Sequence, residues 1–330
     1  MYEPSETRYE TMPYNRCGKS GLRLPALSVG LWQNFGVNND YDTMKEIILT
    51  AFDHGVTHFD LANNYGPEPG RAEINFGRIF KENLRPYRDQ LIISTKAGYE
   101  MWPGPYGGRG GSRKYLTASL DQSLQRMGLE YVDIFYHHCM TPDTPLKETA
   151  LCLADLVRRG KTLYVGMSNY DGKTMHRMYH KCDDVQAPFV INQNRYSIFD
   201  RTVEKNKLLK EARDKGQGVI CFSPLAQGQL SDKYAKGIPE GARLFGNDKL
   251  QAHVGYDQHR AQQIEKLYQL AKDRGETLSQ LAIQWLWQQK GVTSVLVGVH
   301  SKAQLLENLA ALEQPPLSEA DLIRIDSYSK

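Results

Sequence analysis

Eight short apolar runs, rich in β-branched and aromatic residues, recur along this 330-residue chain with helical patterns between them. The runs span residues 26–32, 57–63, 90–98, 132–138, 162–169, 188–195, 218–225 and 293–299. A repeated strand-then-helix pattern is typical of parallel strands joined by crossover helices. Eight such units are the number that closes a barrel. The pattern therefore predicts an α/β protein with a (β/α)8 TIM barrel fold.

The segments between the runs fit crossover helices, and nothing in them divides the chain. Helical patterns cover residues 41–55, 149–161, 203–216 and 301–312, and several end at a glycine, as helix C-termini often do. The chain has no Pro/Ser-rich linker and no low-complexity tract. We therefore expect residues 1–330 to form a single domain.

Extra length outside the barrel pattern falls in three places. The segment before residue 26 is expected to form a short N-terminal β-hairpin cap that turns at Gly18 and Gly21. Long segments at 98–114 and 231–258 follow the third and the seventh strand. The active site of such a barrel lies at the carboxyl ends of its strands, so these long loops are expected to contact substrate or cofactor.

Charge, cysteine content and hydropathy narrow the class of protein. The formal net charge of +3 is too small for the basic patch of a typical nucleic-acid-binding protein. The five cysteines are odd in number and include no CxxC pair, which argues against a disulfide framework and a zinc site. The N-terminus lacks an apolar signal core, and no segment approaches the ~18 apolar residues of a membrane span. We expect a cytoplasmic protein without a metal, nucleic-acid or membrane partner.

Polar and ionisable side chains stand at the predicted carboxyl ends of consecutive strands. They are Asp60 and Tyr65 at the second strand, Lys96 at the third, His137 and His138 at the fourth, Ser168 and Asn169 at the fifth, and Gln193 at the sixth. Each residue alone has an ordinary structural interpretation, such as a buried ion pair or a tyrosine at the edge of the core. Their convergence on one rim of the barrel indicates a functional site.

The chemistry that fits this set is proton transfer at a carbonyl oxygen. A free tyrosine has a pKa of about 10, and a nearby lysine ammonium is expected to lower the pKa of Tyr65 by favouring the phenolate. Asp60 would hold Lys96 in place and offset the cost of burying its charge. A histidine would orient the carbonyl group and donate a hydrogen bond to it. A lyase that forms a Schiff base on Lys96 is an alternative, against which the pairing with Asp60 argues.

Along nearly its whole length the chain resembles the aldo-keto reductases. The Asp, Tyr, Lys and His tetrad of that family matches Asp60, Tyr65, Lys96 and His138. The family places its histidine five residues after the aspartate of the fourth strand, which selects His138 when the count starts from Asp133. Side-chain alternation agrees, because neighbouring residues of a strand face opposite sides. The segments NRCGKSGLRLPALSVGLW, HFDLANNYGPEPG and STKAGYEMWPGPYGG are similar to one bacterial branch of the family.

Three further segments resemble the cofactor-binding motifs of the family, which implies NADPH/NADP+ as the cofactor. GMSNY (166–170), together with a later Gln, resembles the family motif that holds the nicotinamide carboxamide. FSPLAQGQLSDKY (222–234) resembles the motif that stacks on the nicotinamide ring and surrounds the pyrophosphate. VGVHSKAQLLENL (297–309) resembles the part that holds the adenosine and its 2′-phosphate. The implied cofactor-binding residues are Trp32, Ser168, Asn169, Gln193, Phe222, Ser223, Pro224, Leu225, Gln227, Gly228, Lys233, Arg243, Gly298, His300, Lys302, Gln304, Glu307 and Asn308.

One position departs from the related potassium-channel β subunits, which usually have Ser near the 2′-phosphate where this chain has His300. Lys302 and Arg243 still offer positive charge for that phosphate.

The resemblance implies NADPH-dependent reduction of small aldehydes, such as L-glyceraldehyde 3-phosphate and methylglyoxal, with Tyr65 as the proton donor. Trp32, Trp102, Tyr65 and His138 are expected to line the substrate pocket. A small-molecule aldehyde is therefore the expected partner, and relatives often form homo-oligomers.

Two questions stay open at this stage. The chain could instead be a cofactor-binding regulatory subunit resembling the potassium-channel β subunits, although these generally carry Asn where this chain has His138. The basic residues Arg109, Arg113 and Lys114 either favour a phosphorylated substrate or belong to a solvated loop.

Overall fold

A computed structural model describes residues 2–240, 242 and 244–329 of the chain and confirms the predicted barrel. The strands in these residues are β1 (Tyr14–Arg16), β2 (Arg23–Pro25), β3 (Leu27–Gly30), β4 (His58–Asp60), β5 (Ile92–Ala97), β6 (Val132–His137), β7 (Thr162–Ser168), β8 (Phe189–Arg195), β9 (Gly218–Phe222) and β10 (Val292–Val297). β1 and β2 pair antiparallel, whereas β3 to β10 close into a parallel barrel in which β10 lies between β9 and β3. Each of the eight predicted strands overlaps one strand of this barrel.

Helices surround the barrel and connect its strands. In the described residues they are α1 (Tyr41–Asp53), α2 (Arg71–Ile79), α3 (Arg113–Met127), α4 (Leu146–Arg158), α5 (Gly172–Asp184), α6 (Thr202–Lys205), α7 (Leu208–Lys215), α8 (Asp248–Val254), α9 (Gln258–Asp273), α10 (Leu278–Trp287), α11 (Lys302–Leu309) and α12 (Glu319–Tyr328). Side chains cap many of their first turns. In the capping box of α10, for example, the Thr277 hydroxyl accepts from the Gln280 amide and the Gln280 side chain accepts from Thr277 N.

The single helix predicted over residues 203–216 is wrong, because this segment forms the two helices α6 and α7. Lys207 adopts the left-handed region with φ 65°, which interrupts the helical path. The Asn206 side chain accepts a hydrogen bond from Leu208 N at 3.0 Å. Such a local side-chain bond competes with the helix ladder, and helical periodicity alone does not reveal it.

The N-terminal hairpin closes the amino end of the barrel, as predicted. Gly18 turns the chain between β1 and β2 with φ 58°, and a Cβ atom there would lie only 2.1 Å from the Gly216 carbonyl oxygen. Cys17 and Leu24 from the hairpin are fully buried and pack against strand side chains that include Ile134 and Ile220. The hairpin therefore fills the amino end of the barrel, and the carboxyl ends of the strands form the opposite end.

A larger core lies between the barrel and the surrounding helices. The rings of Phe59 on β4 and Phe76 on α2 pack with centroids 5.8 Å apart within it. All five cysteines of the chain are buried and free of disulfide bonds. Over the residues that the structure describes, no helix combines the length and apolar character needed to cross a bilayer.

A buried carboxylate ties two helices to the strand that carries Lys96. Glu73 on α2 has no exposed side-chain surface and accepts hydrogen bonds from Thr95 Oγ1 at 2.5 Å and from Arg126 Nε at 2.7 Å. Thr95 lies on β5 and Arg126 on α3, so one side chain links three elements. Removing one partner of such a pair leaves a buried charge uncompensated.

We predict that Arg126→Met lowers the free energy of unfolding by about 3 kcal/mol, because Glu73 then remains buried without its cation. Chemical denaturation measures this change. Lys210→Met is the matched control, because Lys210 pairs with Asp214 on the exposed face of α7, and we expect no resolvable effect. An equal loss of stability in both variants would contradict the assignment.

Candidate active site

An ion pair between Asp60 and Lys96 lies at the carboxyl end of the barrel. Asp60 is the last residue of β4, Lys96 belongs to β5, and neither side chain has exposed surface. The Lys96 ammonium donates to Asp60 Oδ2, to the Leu61 carbonyl oxygen at 2.7 Å and to the Tyr65 hydroxyl at 3.3 Å. An ammonium has three donors, and all three find an acceptor here.

Strand register explains why these two side chains meet. Asp60 on β4 is paired with Ser94 on β5, and Lys96 lies two residues further along, on the same face as Ser94. The Ser94 hydroxyl donates to Asp60 Oδ1 at 2.7 Å, and Gln193 Nε2 on β8 donates to the same oxygen at 3.1 Å. The carboxylate is therefore held by hydrogen bonds as well as by the lysine.

A polar chain that the sequence interpretation missed supports Asp60 from inside the barrel. His58 Nε2 lies 2.9 Å from Ser94 Oγ, and its Nδ1 lies 2.9 Å from Ser28 Oγ. Ser28 in turn bonds to the Ser294 hydroxyl at 2.7 Å. The sequence signal that could have found His58 is the alternation of side chains along a strand, which places His58 on the same face as Asp60. Burial lowers the pKa of His58 to about 4, so the ring is neutral.

Tyr65 lies beside the ion pair as a protonated phenol. Burial, followed by the negative charge of Asp60, raises the pKa of Tyr65 well above its usual value near 10. The expectation of a pKa below the usual value for Tyr65 is therefore wrong for this structure, because the net shift is upward. Desolvation penalises the phenolate, and Asp60 lies close enough to Lys96 to offset its charge.

The structure brings His138, rather than His137, to the tyrosine. The His138 ring centroid lies 5.9 Å from that of Tyr65 and 4.7 Å from that of Tyr99. His137 bonds through Nδ1 to the Tyr170 hydroxyl at 2.7 Å. Burial, together with the nearby positive charge of Lys96, lowers the pKa of His138 well below its usual range. Its imidazole is therefore neutral.

The segments predicted to bind the cofactor have an unusual backbone. Seven non-glycine residues of the described chain have a positive φ. Four of these belong to the predicted cofactor segments, namely Asn169, Ser223, Ala226 and Gln227. Strained backbone of this kind clusters at ligand sites, where surrounding contacts hold it. A loop of this shape after β9 fits the cradle that a dinucleotide pyrophosphate needs.

The predicted carboxamide ligands lie beside the ion pair. Ser168 on β7 is paired in register with Gln193 on β8, and both side chains are buried. Asn169 follows β7 and donates from Nδ2 to the His138 carbonyl oxygen at 3.1 Å. Phe222, the predicted stacking residue, ends β9 and is half-buried. These residues therefore surround the carboxyl end of the barrel on the side of β7 to β9.

The segment predicted to bind the adenosine part lies at the end of β10. Exposed Gly298 follows this strand, and the exposed His300 donates from its backbone N to Gln304 Oε1 at 3.1 Å. Glu307 Oε1 accepts from Thr277 Oγ1 at 3.1 Å. Asn308 is buried, and the remaining predicted residues Pro224, Leu225, Gly228 and exposed Lys233 lie in the segment after β9.

Of the two basic residues expected near the 2′-phosphate, the structure describes Lys302. Lys302 Nζ lies 3.4 Å from Glu46 Oε1 in a pair that is about half exposed on both sides. An exposed pair of this kind is weak, so a phosphate can displace the carboxylate. Arg243 lies outside the described residues.

The two tryptophans predicted for the substrate pocket differ in exposure. Trp32 keeps 48% of its surface exposed, and its ring centroid lies 6.4 Å from that of Tyr65. Trp102 packs on the ring of Tyr115 at 5.3 Å in the loop after β5. Trp32 therefore borders the tyrosine directly, whereas the ring of Trp102 contacts α3.

Comparison with known proteins assigns this barrel to a family. A sequence model of the Aldo/keto reductase family matches residues 26–330. The chain belongs to this family and is an oxidoreductase. It is 50% identical over 329 residues to the L-glyceraldehyde 3-phosphate reductases of Escherichia coli O157:H7 and of strain K12. These alignments cover 97% of this chain and 93% of each relative.

We predict that His58 makes the stability of the protein depend on pH between about 6.5 and 4. Its pKa falls from 6.5 to about 4 on folding, so the unfolded chain binds a proton in this window that the folded chain does not. Stability is therefore lost as the pH falls from 6.5 towards 4, by on the order of 3 kcal/mol from this residue.

Denaturation of wild type and His58→Asn at pH 7 and pH 4.5 measures this contribution. The variant should lose less stability than wild type over that interval. The control His259→Asn changes an exposed histidine and should keep the wild-type dependence. Identical pH dependence in wild type and His58→Asn would refute the prediction.

Proposed function

We propose that this protein reduces small aldehydes to alcohols with NADPH, with L-glyceraldehyde 3-phosphate and methylglyoxal among its substrates. The observation that supports this best is the position of Tyr65, whose hydroxyl lies 3.3 Å from the Lys96 ammonium and whose ring lies beside that of His138. We also propose that residues 1–330 act as one domain. The similarity to enzymes named L-glyceraldehyde 3-phosphate reductase supports the aldehyde as the substrate class.

Tyr65 has the state that a proton donor needs. Reduction of a carbonyl group places negative charge on its oxygen, and this oxygen must receive a proton. A tyrosine with its usual pKa of about 10 is protonated at neutral pH, and burial of Tyr65 shifts its pKa further upward. When the proton leaves, the resulting phenolate lies beside the Lys96 ammonium, which stabilises it. Lys96 is therefore placed to stabilise the negative charge that develops on Tyr65.

His138 is suited to orient the aldehyde. A neutral imidazole has one N–H donor and one acceptor nitrogen, and burial keeps His138 neutral. Its ring lies next to that of Tyr65. A donor from His138 and a donor from Tyr65 can therefore approach the same carbonyl oxygen.

The cofactor-binding residues named above would hold NADPH with its nicotinamide near Tyr65. When bound, this cofactor supplies a hydride to the carbonyl carbon. Ser168, Asn169 and Gln193 are proposed to bind the carboxamide and Phe222 to stack on the ring. Lys302, with the N-terminus of α11, is proposed to favour the 2′-phosphate.

We predict that Tyr65→Phe lowers kcat for aldehyde reduction by at least about 100-fold, because the general acid is lost. Oxidation of NADPH and of NADH at 340 nm, with glyceraldehyde 3-phosphate and with methylglyoxal, measures this loss. Wild type should oxidise NADPH faster than NADH. Cofactor binding, followed separately by fluorescence titration, should persist in the variant.

The control variant is Tyr106→Phe, which removes the hydroxyl of an exposed tyrosine in the loop after β5. It should retain wild-type turnover. Full activity of Tyr65→Phe would exclude Tyr65 as the proton donor. Tight cofactor binding without turnover of either aldehyde would favour another substrate or a regulatory subunit.

A further inference from the structure

Two arginines lie at the carboxyl end of the barrel, one beside Tyr99 and the other beside Phe222. Arg109 comes from the loop after β5, and its Cζ lies 5.3 Å from the Tyr99 ring centroid. Arg195 ends β8, and its Cζ lies 5.9 Å from the ring centroid of Phe222. Burial raises the pKa of Tyr99, and the charges of Arg109 and Arg195 both oppose this shift. Arg195 follows Gln193 by two residues on β8, so it lies on the strand face from which Gln193 contacts Asp60.

Tyr99 connects these charges to the proposed reaction centre. Its ring packs edge-on against His138 at 4.7 Å, and the His138 ring lies beside Tyr65. Arg109 is therefore one aromatic ring away from the histidine that is proposed to bind the aldehyde. A group a few bonds from the carbonyl carbon would reach the arginines.

Neither arginine is neutralised by the protein. Within residues 2–240, 242 and 244–329, no ion pair joins Arg109 or Arg195 to a carboxylate. The polar contact that Arg109 makes is from Nη2 to Cys139 Sγ at 3.2 Å. Both side chains are exposed. Their charges are thus available to an anion.

Other basic residues near this loop are already engaged. Arg113 contacts Asp155 in an exposed ion pair, and Lys114 lies over the Tyr106 ring at 5.5 Å. Of the three basic residues in this part of the sequence, Arg109 is therefore the one that contacts the mouth of the barrel through Tyr99 and Cys139.

Hydrogen bonds hold the backbone next to Arg109 in place. Gly110 N donates to the Gly98 carbonyl oxygen at 2.9 Å, and Thr149 Oγ1 donates to the Gly111 carbonyl oxygen at 2.9 Å. Gly110 has φ 113°, a conformation that favours glycine. Ordering this loop backbone in advance lowers the entropy cost of binding a ligand beside it.

We propose that Arg109 and Arg195 bind the phosphate group of a phosphorylated three-carbon aldehyde whose carbonyl lies between Tyr65 and His138. This inference rests on the proposed aldehyde reduction and assigns the residues that would select its substrate. Guanidinium groups bind phosphate oxygens through paired, charge-assisted hydrogen bonds. The site would thus prefer glyceraldehyde 3-phosphate over glyceraldehyde.

Binding of glycerol 3-phosphate tests the inference without any turnover, because this compound carries the phosphate but no aldehyde. Calorimetry with enzyme saturated with NADP+ should show binding of glycerol 3-phosphate that is stronger than binding of glycerol. Arg109→Gln and Arg195→Gln should each weaken it about tenfold or more, the effect of one lost charge-assisted bond. The control Arg113→Gln should bind it as wild type does.

Kinetics provide the second readout. The ratio of kcat/KM for glyceraldehyde 3-phosphate to that for glyceraldehyde should fall about tenfold or more in Arg109→Gln and Arg195→Gln, and remain unchanged in Arg113→Gln. An unchanged ratio with unchanged glycerol 3-phosphate affinity overturns the inference while leaving the reductase intact. Weaker NADPH binding in place of a changed ratio would assign the arginines to the cofactor and also overturn it. Arginine-dependent glycerol 3-phosphate binding without aldehyde turnover would support the phosphate site and refute the proposed function.

Discussion

The buried pair of Asp60 and Lys96 is the interaction on which the rest of the site depends. Two charges without exposed surface are costly to remove from water, and the surrounding residues offset this cost by hydrogen bonding. Lys96 donates to three acceptors, and Asp60 accepts from Ser94 and Gln193 as well as from Lys96. Because well-packed apolar residues would often stabilise a protein equally or better, stability alone does not explain the pair, and we propose that it serves Tyr65, which Lys96 contacts.

The barrel makes this arrangement possible through strand register and through its closed lower end. Register places Asp60 opposite Ser94, so Lys96 two residues later faces the same interior. The hairpin fills the amino end with Cys17 and Leu24, which leaves the carboxyl ends of the strands for chemistry. His58 bridges Ser28 and Ser94 between these ends. The polar network thus continues from the packed interior to Asp60 and the proposed active-site residues.

Much of the fold and the grouping of the site could be predicted from the sequence, because both follow from local patterns. Eight apolar runs predict eight strands, and polar residues at their ends must meet once the barrel closes. The break at Lys207 escaped prediction because it depends on one backbone conformation stabilised by Asn206. The upward direction of the Tyr65 pKa shift could not be predicted, because burial and the position of Asp60 are tertiary properties. The roles of the predicted residues in binding and catalysis stay predictions.

The most direct test of the central claim is a double-mutant cycle on the ion pair, measured as free energy of unfolding. Asp60→Asn and Lys96→Met should each lower the free energy of unfolding by about 3 kcal/mol or more, because each leaves the other charge of the pair buried without its partner. The double variant should be more stable than the sum of the two losses predicts, while aldehyde reduction stays lost. Additive losses of stability, or turnover retained in the double variant, would contradict the account.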